Sequence, residues 1–140
     1  MKTQCAVLTV GNEIMSGRIT DTNSTVIARL FASRGVRVDY MLSCGDDREK
    51  LGAAISALMG CCRVVLITGG LGPTSDDLTT DTLAGLLGRS LQLNGAEWER
   101  IREFFRNIGR PCAEVNRKQA MFPERSEERR VGKECRSRWS

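Results

Sequence analysis

Apolar positions along the chain follow two rhythms that alternate. Residues 4–10 (QCAVLTV) and 63–68 (RVVLIT) are short apolar runs of strand length, and 36–42 alternates Val36, Val38, Tyr40 and Leu42. Between and after these runs the spacing becomes helical. Val26, Ile27, Leu30 and Phe31 predict a helix over 22–34 that Gly35 stops. Leu51, Ile55, Leu58 and Met59 predict a second, capped by Asp46 or Asp47 and running to about Gly60. Leu83, Leu86 and Leu87 mark the inward face of a third over 78–87. Trp98, Ile101, Phe104 and Phe105 form the core stripe of a fourth over 96–107. Residues 116–121 fit no single pattern.

The resulting order, β-α-β-α-β-α-α, is that of an α/β fold. Continuous apolar strands alternating with helices imply a parallel sheet covered on both faces, with right-handed crossovers. In such sheets ligands bind beyond the carboxyl ends of the strands. The polar segments that follow those ends are residues 11–23, 43–47 and 69–81, so all three open on one edge.

The third segment continues from the strand as T-G-G-L-G-P-T-S-D-D-L-T. It is neither a P-loop nor a dinucleotide fingerprint. Gly69, Gly70 and Gly72 nevertheless let backbone approach a ligand closely, and amides near a helix start favour an anion. Thr68, Thr74 and Ser75 add hydroxyl donors. Asp76 and Asp77 repel a phosphate unless a divalent cation such as Mg²⁺ lies between them and it, an ion that binds through one or two carboxylates plus phosphates. The plainer alternative is a turn followed by an aspartate cap. The first segment offers Glu13, Asp21 and Asn23, with capping the alternative for Asp21. The second offers Asp46 and Asp47, of which at least one is expected to cap. Arg117 and Lys118 could meet phosphates, with a solvated face as the plainer reading.

Composition narrows the chemistry. The 140 residues, 41% hydrophobic and 27% charged, fit at most one ordinary domain. No run approaches the ~20 apolar residues of a membrane-spanning helix, and the first residues lack the pattern of a secretion signal. A soluble cytoplasmic protein with reduced, mostly buried thiols is expected. The six cysteines contain no C-x-x-C spacing and there is no histidine, which argues against a zinc site and removes every histidine-based catalytic triad.

The net charge of +4 suggests a nucleic-acid partner only until the last residues are considered. Residues 125–140, RSEERRVGKECRSRWS, resemble the translation of a short-read sequencing adapter. Removing their six basic and three acidic residues from the totals of 21 and 17 leaves +1. The expectation is therefore a partial domain over 1–124, a disordered tail over 125–140, no nucleic-acid or membrane partner, and a natural protein that continues past Glu124.

Together, V-G-N-E-I-M-S-G-R-I-T-D-T-N, G-D-D, T-G-G-L-G-P-T-S-D-D-L-T-T-D-T-L-A and N-R-K-Q-A resemble the N-terminal domain of the competence/damage-inducible protein A (CinA) family, in the molybdopterin-binding, MoaB/Mog-like superfamily. The resemblance covers about residues 3–124. It implies a three-layer α/β/α fold with a mainly parallel sheet, incomplete on its C-terminal side because family members continue into further strands and an amidase domain. It implies a pocket for a pterin or a nucleotide-like phosphate ester. Asp46 and Asp77 match two functional aspartates, residues 69–74 match the phosphate loop, and Glu13 and Asn23 match polar positions of the first loop. The implied activity is metal-dependent pyrophosphate hydrolysis of ADP-ribose-like dinucleotides, with Asp77 and Asp76 at the metal and Glu13 or Asp46 as base. A molybdopterin-binding module without hydrolysis, or an inactive fragment, is the alternative. The family tends to self-associate, so a homo-oligomer is expected of the full-length protein.

Overall fold

The computed structural model describes residues 3–126; the greater part of the expected tail, 127–140, lies outside them. Three parallel strands form the central sheet: β1 (Thr3–Val10), β2 (Tyr40–Cys44) and β3 (Cys62–Thr68), in the order β2-β1-β3. Ala6 pairs with Tyr40 on one side and with Val65 on the other, and Thr9 pairs with Ser43 and Thr68. The central position explains why β1 reads as an unbroken apolar run: Cys5 to Val10 are all buried. Ala6, Leu8 and Val10 pack with Leu51, Ile55 and Leu58 in one core cluster. Thr9 instead faces Ser24 on the helix across the sheet, their hydroxyl oxygens 2.9 Å apart.

The helices connecting these strands are α2 (Thr22–Ala32) and α3 (Arg48–Cys61), with a single turn, α1 (Asn12–Met15), directly after β1. Capping sets both long starts. Asp21 accepts from the Ser24 amide at 3.0 Å and Asp47 from the Lys50 amide at 2.9 Å. Beyond β3 come α4 (Thr79–Leu86) and α5 (Gly95–Asn107), then a 3₁₀ helix (Glu114–Ala120). A second sheet, absent from the sequence reading, pairs β4 (Leu91–Leu93) antiparallel with β5 (Met121–Pro123). Strands of three residues are too short to display an alternation.

Three expectations need correction. The second strand begins at Tyr40, not Val36. The Val36 amide is spent on the Phe31 carbonyl at 3.0 Å, closing the end of α2, and Asp39 makes the first bond to β1 through the Cys5 carbonyl. Leu86 and Leu87 are more than 40% exposed; α4 buries Thr79, Thr82 and Ala84 instead, with Leu83 at the core margin. In the α5 stripe, Ile101 is buried, whereas Phe104 is half exposed and meets Phe105 edge-on.

The core assignment is testable. Ile55→Ala is expected to lower unfolding stability by about 2–5 kcal/mol, as large-to-small changes at fully buried sites do. Leu86→Ala is expected to cost under about 1 kcal/mol. Chemical denaturation of both variants checks this; a loss at position 86 equal to that at 55 would contradict the structure.

Candidate functional site

All three strands point the same way, so the segments following them emerge on one edge, as the alternation of elements implied. The first and second are latched together. The Asn12 amide donates to Asp46 Oδ2 at 3.1 Å, the Asp46 amide donates to Asn12 Oδ1 at 3.0 Å, and the Gly11 amide reaches the Cys44 carbonyl at 2.9 Å. Because Asp47 caps α3, Asp46 is released from capping, and its second oxygen has no hydrogen-bond partner among the described residues. The half-buried Glu13 carboxylate lies over Gly11, where an added Cβ would come within 2.6 Å of it. Asn23 sits half-buried in the first turn of α2. Asp21 does cap, and it does more: Thr9 Oγ1 and Ser24 Oγ also donate to it. Burial pushes its carboxyl upward, but the donors from Ser24, Thr9 and the Asn23 amide outweigh burial, and its pKa lies below the ordinary value.

Glycine is required where the third segment leaves β3. Gly69 has φ +86° and Gly70 φ +64°. A Cβ at 69 would overlap the Val10 carbonyl, and one at 70 would overlap the Thr79 hydroxyl. Thr79 pins the loop from α4, its amide donating to the Gly70 carbonyl at 3.1 Å and its hydroxyl to the Gly69 carbonyl at 2.8 Å.

Asp77 turns inward. Its Oδ2 accepts from the Thr74 amide at 2.8 Å and the Thr74 hydroxyl at 2.7 Å, and the Gly72 amide faces it. Burial again acts upward, while these donors and the Lys118 ammonium bring its pKa below the ordinary value. The carboxylate thus occupies the part of the loop expected to cradle phosphate. The amides of Gly70 and Leu71 are different: neither makes a hydrogen bond among the described residues.

Lys118, read from sequence as solvated, braces this loop from the 3₁₀ helix. Its Nζ donates to the Thr74 carbonyl at 2.8 Å and the Asp77 carbonyl at 2.5 Å, and it lies 3.6 Å from Asp81 Oδ2. Sequence pattern gave no sign of this role beyond its place in N-R-K-Q-A. The brace closes a cleft of about 680 Å³, within the range of small-molecule sites. Its polar lining includes the backbone of Gly70 and Gly72 with Asp77, Asp81, Arg117 and Lys118, and Leu71 and Phe122 are among its apolar wall residues. Asp46, Glu13 and Asn23 do not line it. They belong to the segments that follow β1 and β2, whereas the cleft is built on the segment that follows β3.

Asp76 and Asp77 by themselves offer a divalent ion few protein donors. Asp77 Oδ2 is committed to Thr74, Asp76 is exposed, and no three acidic or thiol groups converge to hold a metal among the described residues.

Both Asp21 and Asp77 titrate below the unfolded-chain value of about 3.9. The unfolded chain therefore binds more protons between that value and the depressed folded ones. Their contribution to stability is fully present above the unfolded pKa and is lost as pH falls through the folded values. Unfolding free energy measured against pH is expected to drop below about pH 4. The drop should be shallower in Asp21→Asn; an unchanged slope would remove Asp21 from the account.

Comparison with known proteins came to the same fold. A CinA-like protein of Syntrophus aciditrophicus is 42% identical over 121 residues, which is 86% of this chain and 29% of that protein. The chain thus spans less than a third of that relative's length. The crystal structure of the protein CinA, of unknown function, from Thermoplasma acidophilum superposes with a TM-score of 0.76 at 29% identity, covering 88% of this chain and 72% of that one. The molybdopterin biosynthesis enzyme MoaB of Thermus thermophilus superposes at 0.56 with 22% identity, covering 84% and 72%, a likeness of fold alone. No described helix is long and apolar enough to cross a membrane. Residues 6–130 match the family described as probable molybdopterin binding domain, and the chain belongs to that family, alongside the CinA-like proteins.

Proposed function

We propose that the cleft beside residues 69–74 binds the phosphate end of a pterin or nucleotide ester. The observation that carries this reading is the pair of unpartnered amides at Gly70 and Leu71 on the cleft wall, next to the Lys118 ammonium. Backbone donors with a fixed positive charge behind them suit an anion. Leu91, Met121 and Phe122 offer an apolar surface for a flat ring. Asp77 contributes by holding the loop open through Thr74 and Gly72, and Gly69 by letting the loop lie against β1.

A second reading, pyrophosphate hydrolysis of an ADP-ribose-like dinucleotide, draws on the unbonded oxygen of Asp46 and on Glu13. Either carboxylate is suited to take a proton from an attacking water. Any divalent ion in that reaction would enter with the phosphates, since this donor set alone does not hold one. A pterin-binding module without turnover uses the same cleft and none of this chemistry.

Thermal unfolding of the chain with pyrophosphate, ADP-ribose and plain phosphate separates these cases. At a concentration 100-fold above Kd, a true ligand is expected to stabilise by about 2.7 kcal/mol. The gain should vanish in Gly70→Ala and fall in Lys118→Ala, and persist in Asp47→Ala. No gain with any of the three anions would end the phosphate reading. Release of AMP from ADP-ribose that stops on chelation and drops at least about tenfold in Asp46→Ala would favour hydrolysis, a loss of over about 1.4 kcal/mol in transition-state stabilisation.

A further inference from the structure

At the opposite end of the sheet from the cleft, α3 passes into β3 without a loop. Cys61 is the last helical residue and Cys62 the first of the strand. Both thiols are free, and their sulfurs lie 3.6 Å apart. Cys61 is half-buried, with its sulfur also 3.6 Å from the Leu58 carbonyl; Cys62 is buried. Cys62 opens onto an apolar groove of about 480 Å³ whose other walls include Ile55, Met59, Val65, Ile67 and Leu83. None of this belongs to the site described above.

Two neighbouring cysteines cannot readily form a disulfide. Cα atoms joined by a trans peptide are about 3.8 Å apart, below the ~4.4–6.8 Å that disulfides span. A single bridging atom relaxes that limit. Two bonds of ~2.3 Å meeting at roughly 95–100° on a pyramidal trivalent centre place their sulfurs about 3.4–3.5 Å apart, within a few tenths of an ångström of the spacing already present. A zinc ion needs further donors, and among the described residues no third group converges on the pair. A trivalent metalloid carrying one organic substituent needs only two thiols.

We propose that Cys61 and Cys62 form a dithiol site for a trivalent organoarsenical or similar metalloid, whose apolar substituent lies in the adjoining groove. With an arsine oxide, two As–S bonds form and the As=O bond is lost. The oxygen leaves as water with both thiol protons, and arsenic remains trivalent, so no oxidant or reductant is involved. Burial, and then the neighbouring Cys61, hold the Cys62 thiol up at about 11, so it enters the reaction as a thiol and parts with its proton as the bond forms. Bridging ties the end of α3 to the start of β3.

The test is intact-mass spectrometry of the phosphine-reduced 140-residue chain with equimolar phenylarsine oxide. The expected result is one adduct, heavier by the reagent less one water, that survives excess glutathione and is removed by 1,2-ethanedithiol. Cys61→Ser, at the half-buried position, is expected to bind at least about 100-fold more weakly, the usual loss when two-point attachment becomes one-point. Cys112→Ser and Cys44→Ser should bind as the parent does. Failure of the parent chain to form a glutathione-resistant adduct would overturn the proposal. So would an undiminished adduct in Cys61→Ser, or its loss in Cys5→Ser, which would move the site to other sulfurs.

Discussion

The backbone of residue 69 presses on the Val10 carbonyl so closely that no side chain fits between them. This contact joins the end of β3 to the end of β1, the strand buried on both faces, and it sets where the glycine loop begins. Everything downstream inherits that position. Gly70 turns with a second positive φ, Thr79 ties both glycine carbonyls to α4, and Asp77 folds back onto Thr74. A bulkier residue at 69 would press two strands of the sheet apart and displace the loop from where Thr79 and Lys118 both reach it.

The loop divides its backbone donors between two uses. Asp77, an internal anion, accepts from Thr74 and faces the Gly72 amide. The Gly70 and Leu71 amides are left over. Engaged and unengaged amides therefore lie side by side in one turn, with the division set by the reach of a single carboxylate.

Much of the fold was legible because its signals are local. Two of the three parallel strands and four helices follow from apolar period and caps, and the shared edge of the three polar segments follows from parallel pairing. What escaped notice was nonlocal. Met121–Pro123 becomes a strand only because Leu91–Leu93 lies beside it. Leu86 and Leu87 look like core residues until the packing of α4 shows Thr82 and Ala84 beneath it. The candidate site divides in the same way. The residues of 69–77 announced themselves by composition, and Asp21 and Asp47 by capping position. Lys118 could not, since a lysine in a polar stretch carries no mark of the carbonyls it will meet more than forty residues away. The Asn12–Asp46 latch was hidden likewise, because capping explained either aspartate equally well.

Lys118 also orders events in time. Its ammonium bonds carbonyls 41 and 44 positions earlier in the chain. The contacts that build β1, β2 and β3 are complete by residue 68, and the turn at 69–79 closes on itself soon after. Contacts of long sequence separation form late, and a growing chain assembles from its N-terminal side. A nascent molecule therefore pairs β1, β2 and β3 before it completes the cleft, whose lining waits for the 3₁₀ helix and for Met121 and Phe122 beyond it.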